Sequence, residues 1–585
     1  MHWLLTILTA VAVMHLPKDK LEQPLLFGSR IVDVNQSWGK VYAPGQRNAH
    51  PVVMHFETPA DDGEYLLLRP HRARKNQPYV SKNRNTHPLA FHILEETDST
   101  YVLELLPTFS TYPKVISAIP AKKLAGSAVE YEILGTRQTE RYFQIDGHYL
   151  YRDGLDVTAA CYFIWLEEPC MTPRFVNPKL VGYNNVFVMG VREKKLGRSH
   201  RWNLMPGSKV DFYVDKAFPA EWYPYIKEGI EDWNQAFRSI GLGDVLEVHP
   251  EPEGLDTSSP LVNMVRYMDV EESNAKGDVL VDPRSGEILQ GDILWWKNVV
   301  RLMEGWRYVQ TGAADPSARQ KEYPIEMLGP MIRHAVCHEM GHVLGLSHNM
   351  GASWAYPTDS LRSPTFTRVY GTSASVMDYA RYNHLATEQD VEDGVNLLPP
   401  RLGPYDYYAI ACGYAQTIPA PGPFCYFAPF ISAAISPDPS AQAETLGNDL
   451  LRSSRVGMDN CRALLVLDGL TEDRMDLLRK NYYRYIFLTL SNIGGTVQGR
   501  PVTRRIRRET LRLVIESLSS VPEELADPWQ EKHILDELVG NFLPVRLLET
   551  VGKGELKDYY RQLERLHDLY PDLPMKDTQD WNFYL

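Results

Sequence analysis

The chain has few of the features that would place it quickly. It holds 6 cysteines in 585 residues (161, 170, 337, 412, 425 and 461). None forms a C-x-x-C pair, which argues against a thiolate-bound metal site. Lys/Arg runs are absent, and the net charge is −13 with a pI near 5.8, so nucleic acid is not an expected partner. The apolar segment Trp3–Met14 is too short to cross a bilayer, which takes about 20 residues. It does have the length of a signal h-region, and Ala10-Val11-Ala12 offers a small-residue cleavage site, although no Lys or Arg precedes it. Read as a leader, it implies an exported protein (periplasmic, cell-surface or secreted). Read otherwise, the same residues fit the first strand of an amino-terminal domain.

What is present is ordinary in bulk: 44% apolar and 23% charged residues, as in globular proteins. The length implies more than one hydrophobic core. Residues 1–200 read as a β-rich accessory or pro-like domain, with short apolar runs such as Y-L-L-L (65–68), Y-V-L-E-L-L (101–106) and C-Y-F-I-W-L (161–166) between Gly, Pro and polar clusters. They carry no catalytic constellation. If this region kept an enzyme latent, Cys161 or Cys170 would be the residue to fill a fourth metal position. Asn35-Gln36-Ser37 is a glycosylation sequon.

Residues 205–415 alternate strand and helix signals. A strand is expected at 210–215 and a helix over Ala220–Ile240, where Trp222, Ile226, Ile230, Trp233 and Phe237 recur at helical spacing. Strands follow at 245–249, 262–268, 278–282 and 287–296, the last two joined by a D-P-R-S-G turn. A helix is expected near 297–311. The 278–282 strand is the expected sheet edge on which an extended peptide could pair. Pro419–Pro423 reads as a linker, and 416–585 as a mostly helical carboxy-terminal region.

The chemistry is concentrated in P-M-I-R-H-A-V-C-H-E-M-G-H-V-L-G-L-S-H-N (330–349), which contains H-E-x-x-H-x-x-G-x-x-H. The helix carrying it is expected to begin near Gly329–Pro330, because proline is tolerated in a first turn. His338 and His342, one turn apart, share a helix face and can meet one ion. His348 lies six residues further on and would miss that face, at about 100° per residue, if the helix continued. Gly345 supplies the break that turns it back. Three imidazoles suit zinc and leave a fourth position open, the pattern of a catalytic site. Glu339 follows the first ligand, where its carboxylate reaches a water as general base. His334, one turn earlier, has no glutamate after it and is read as a packing residue or as one that supports the ligands from behind.

S-V-M-D-Y (375–379) follows, with Met377 placed 29 residues after His348. The long histidine signature together with this methionine turn resembles the metzincin clan of zinc peptidases. L-G-P-Y-D-Y-Y-A-I-A-C-G-Y (402–414) looks like the clan's closing helix, and V-D-P-R-S-G-E-I-L (281–289), A-Y-P-T-D-S-L-R-S-P-T-F-T-R-V-Y-G-T (355–372) and S-V-M-D-Y-A-R-Y-N (375–383) carry a likeness to one family within it. Within the clan the chain resembles a bacterial family of large metalloproteases whose amino-terminal domain has no assigned function. The resemblance implies an α+β architecture with a twisted mixed sheet and an active-site helix. It also implies Zn2+ held by His338, His342 and His348, Glu339 as base, Met377 beneath the metal, and a Tyr379 that ligates the metal or steadies the oxyanion. The implied reaction is hydrolysis of peptide bonds in a protein or peptide substrate. The competing expectation is a surface binding or adhesion protein carrying a latent peptidase domain. Oligomeric state is not written in the sequence.

Overall fold

The computed structural model describes residues 12–35, 44–47, 52–57, 63–70, 89–111, 128–151, 154–169, 171–189, 195–270, 273–398, 402–430, 435–467, 469–540 and 542–572. Most of the proposed leader and Cys170 lie outside this set, as does much of the glycosylation sequon. Val13 and Met14, the end of the leader segment, are in a strand.

The amino-terminal part is a nine-stranded antiparallel sheet. Its strands are β1 (Val13–Pro17), β2 (Leu25–Val34), β3 (Val52–Phe56), β4 (Tyr65–Pro70), β5 (Leu89–Glu96), β6 (Thr100–Glu104), β7 (Ala128–Gln138), β8 (Tyr142–Tyr151) and β9 (Asp156–Trp165), in the order β1-β6-β5-β4-β3-β2-β9-β8-β7. The two edges meet. Gln138 on β7 donates to the carbonyl of His15 on β1 at 2.6 Å and accepts from its amide at 3.3 Å. Such closure satisfies edge groups that would otherwise invite pairing with another chain. Alternating apolar residues fill the interior, among them Phe27, Phe56, Phe91, Phe109, Phe163 and Cys161.

A hairpin, β10 (Asn185–Met189) and β11 (Lys195–Ser199), leads into a second sheet of five strands. These are β12 (Val210–Val214), β13 (Leu246–Pro250), β14 (Met264–Met268), β15 (Ala275–Asp282) and β16 (Glu287–Trp296), ordered β13-β12-β14-β16-β15. All neighbours are parallel except β15, which runs antiparallel to β16 and forms the edge. The D-P-R-S-G turn joins β15 to β16, with Gly286 at φ +84° and its amide bonded to the Asp282 carbonyl. The edge strand is longer than the 278–282 segment read from sequence, because Ala275–Gly277 also pair with β16.

The expected Ala220–Ile240 helix is broken. A 3-10 turn at Ala220–Trp222 precedes helices at Tyr223–Glu231 and Asn234–Ser239. At the break, the Asn234 side chain accepts from the amides of Val245 and Leu246 and donates to the Leu246 carbonyl, fixing the helix to β13. The helix Val299–Thr311 follows β16.

The histidine-bearing helix runs Ile325–Val343, so it starts earlier than the proline suggested, and Pro330 lies inside it. A proline this near the amino terminus removes one hydrogen bond. Burial of Leu328, Met331 and Ile332 in the core outweighs that loss.

The carboxy-terminal part is helical, with Leu450–Leu467, Glu472–Leu490, Arg504–Ser519, Pro528–Val539, Phe542–Thr550 and Lys553–His567 sharing one apolar core. The Pro419–Pro423 segment is irregular but does not lead to an untethered stretch. The residues after it lie against the loop beyond His348: Met350 donates to the Ala428 carbonyl at 2.8 Å, and Ala428 to Asn349 Oδ1 at 3.0 Å. No described helix is long and apolar enough to cross a membrane.

Candidate metal centre

The metal helix is anchored by tryptophans as well as by apolar packing. Trp233 Nε1 donates to the Cys337 carbonyl at 2.9 Å and Trp202 Nε1 to that of Val343 at 3.0 Å. Tyr414 Oη, from the closing helix Pro404–Tyr414, donates to the Leu344 carbonyl at 3.0 Å. The last carbonyls of a helix lack intrahelical partners, and Trp202 and Tyr414 supply them at the end of this one. The helix stops at Val343, and Gly345 adopts φ +95°. A Cβ at Gly345 would run into the His200 carbonyl, so close approach and left-handed backbone both call for glycine.

The turn brings His348 back to His338 and His342. Ring centroids are 5.0, 5.2 and 4.6 Å apart, and one ligating atom of each lies within 4.8 Å of the others. His342 Nε2 is 3.1 Å from His348 Nε2. Nitrogens bound tetrahedrally to one zinc at about 2.05 Å would stand about 3.3 Å apart, so the pair is already near bonding geometry. The opposite ring nitrogens are committed. His338 Nδ1 donates to the Val376 carbonyl at 2.6 Å, and His342 Nδ1 to the Leu346 carbonyl at 2.9 Å. A carbonyl only accepts, so each Nδ1 carries the hydrogen and each Nε2 keeps its lone pair for a metal. Burial, with the neighbouring histidines and Arg381, holds His338 far below the usual imidazole range and His348 down to about 3. Three imidazoles with ring nitrogens converging on one point are a donor set that fits Zn2+.

Glu339 turns to the side of this trio. Its Oε2 accepts from the Gly277 amide of β15 at 2.6 Å. Burial pushes its carboxyl above the usual range, opposed by His342 and the Gly277 hydrogen bond. Met377 is fully buried and sits against Gly341, in the helical turn between His338 and His342. The Tyr379 ring lies 4.5 Å from that of His348, and the Arg381 guanidinium carbon is 4.2 Å from the Tyr379 ring centre. His334 stands apart from the trio and lines a cavity beside Glu339. Cys161 is packed in the amino-terminal sheet, not with the histidines.

Sequence reading missed several residues that hold this arrangement. Asp406 is fully buried on the closing helix; it accepts from Ser375 Oγ at 2.6 Å and from the Val376 and Gly403 amides, both at 2.8 Å. It thereby fixes Val376, whose carbonyl orients His338. Burial raises its carboxyl to about 7 against the pull of those donors. Asp378, raised to about 6 by burial, ties the same turn to Ser373 and the Ser353 amide. Single acidic residues at these positions give no pattern in a sequence; only the turn that they close reveals them.

A helix that ends at glycine, three converging imidazoles and a methionine turn beneath them define a metzincin-like metal domain. Residues 320–423 match a family model described as Met-zincin, a span that takes in the metal helix, the Met377 turn and the closing helix. No curated protein and no solved structure matches the chain.

Proposed function

We propose that the protein is a zinc-dependent endopeptidase. One observation carries the reading: three imidazoles converge beside a carboxylate that borders both a cavity and a sheet edge. His338, His342 and His348 would hold the ion, which when bound supplies Lewis acidity toward a substrate carbonyl and toward water. Glu339 removes a proton from the attacking water and returns it to the leaving amine. Its raised proton affinity suits both halves of that cycle. Tyr379, whose ring lies beside that of His348, donates to the developing charge on the carbonyl oxygen. The edge strand β15 offers outward-facing backbone groups to an extended peptide, which would lie along that strand and cross in front of the three histidines.

The test is Glu339→Gln. The variant should keep one zinc per chain and lose turnover of a random peptide library by about 10²–10⁴-fold. Full activity with full zinc would discard the base assignment and the mechanism with it.

A further inference from the structure

A cavity of about 90 Å³ opens beside Glu339, bordered by Ala275, His334, His338 and Tyr379, with Arg381 and Trp306 among its walls. That is space for a few water molecules and therefore for a short side chain. The Arg381 guanidinium carbon lies 3.8 Å from the Trp306 ring centre and 4.2 Å from that of Tyr379. Stacking between two aromatic faces fixes the plane of the fork while leaving its edge for a ligand. Among the described residues Arg381 has no carboxylate within ion-pair distance, and its buried Nε–H has no hydrogen-bond partner. Glu444 lies close enough to act on it electrostatically but is paired with Arg484 at 2.6 Å. Glu339, the other acid that acts on Arg381, is bonded to Gly277. A buried guanidinium that borders a cavity and has no carboxylate partner recognises a carboxylate.

The edge strand gives the cavity a direction. Asn274 and Ala275, at the start of β15, border this cavity, whereas Gly277, Asp278 and Val279 border the cleft on the His342 side. A peptide pairing antiparallel to β15 therefore enters on the His342 side and runs toward the cavity. Its residue just after the scissile bond then meets Arg381.

Resting on the peptidase reading above, we propose that Arg381 makes this cavity a subsite for an acidic side chain on the leaving-amine side of the cleaved bond. Aspartate and glutamate fit both its charge and its size.

Two readouts test this. In a random peptide library digested by the zinc-loaded protein, Asp and Glu should be enriched immediately after the cut. Arg381→Gln should lower the preference for a peptide with Glu there over its Gln-containing twin, read as the ratio of the two kcat/KM values, at least tenfold. Independently of turnover, a peptide hydroxamate bearing a carboxymethyl group next to the metal-binding end should bind at least tenfold tighter than its isobutyl counterpart, and Arg381→Gln should abolish that difference. Cleavage without acidic enrichment, or hydroxamates bound equally by the unaltered protein, would overturn the subsite and leave the peptidase reading standing. Discriminating hydroxamate binding with no cleavage of any peptide would sustain the subsite and overturn the peptidase reading.

Discussion

The amide of Gly277 reaches Oε2 of Glu339 at 2.6 Å, so the edge strand of the sheet and the carboxylate of the metal helix are bonded directly. A Cβ at position 277 would meet the Glu339 carbonyl oxygen and come within 2.7 Å of His342 Cβ. Strand and helix can approach this closely only because residue 277 has no side chain.

Gly277→Ala should therefore push β15 away from the helix. Overpacking of this kind costs about 1–3 kcal/mol of stability. The loss of peptide hydrolysis should be larger than that cost alone implies, since a displacement of about 1 Å near reacting atoms can cost about 100-fold. Steady-state kinetics alongside denaturant titration separates the two. Unchanged kcat/KM would show that the contact is incidental.

A second relationship joins the amino-terminal sheet to the metal domain. Asp292 of β16 is fully buried, and its Oδ2 receives Arg47 at 2.9 Å, Arg266 at 3.1 Å and Arg30 at 3.3 Å. Burial opposes its charge, yet Arg266, Arg47 and Arg30 hold the carboxyl down to about 2. Arg30 and Arg47 come from the amino-terminal part, so its removal would strip Asp292 of two partners. Asp292→Ala should cost about 3–5 kcal/mol, because it strands buried guanidinium groups. Urea unfolding of full-length protein measures this, and a change below about 1 kcal/mol would show that the cluster adds little. The same cluster favours a permanent partner over a removable shield: proteolytic excision of the amino-terminal part should lower activity, not release it.

His384 links the metal domain to the carboxy-terminal helices through a hydrogen bond to the Ser453 carbonyl at 3.2 Å and a contact with Ser453 Oγ at 3.0 Å. Burial lowers its pKa to about 4, from an ordinary 6.5. The native state therefore prefers the neutral ring. Its contribution is fully present above about pH 6.5 and is lost as the pH falls from there toward 4, worth about 3 kcal/mol over the whole interval. Urea midpoints at pH 7.5, 6 and 4.5 should fall accordingly, with a shallower decline in His384→Asn. Equal slopes for the two proteins would contradict the assignment.

The legible part of this protein was the part written at fixed local spacing. His338, His342, Gly345 and His348 are related by helical geometry and one turn, so their convergence follows from a short stretch of chain. Met377 and the edge strand near 278–282 could likewise be placed from sequence. The early start of the metal helix escaped because buried Leu328 and Met331 override the proline signal. Gly277, Arg381, Asp292 and Asp406 escaped for another reason. Each acts on a partner distant in sequence, as Asp292 does on Arg30 across 262 residues, and nothing local marks such a pair.

The central claim is that three imidazoles hold one catalytic zinc. X-ray absorption at the zinc edge, on protein purified without added chelator and quantified for metal, tests it most directly. The account predicts one zinc per chain with three imidazole nitrogens at about 2.0–2.1 Å, and loss of the metal in His348→Ala. Sulfur ligands at about 2.3 Å, or full zinc retained in His348→Ala with its shell unchanged, would contradict it.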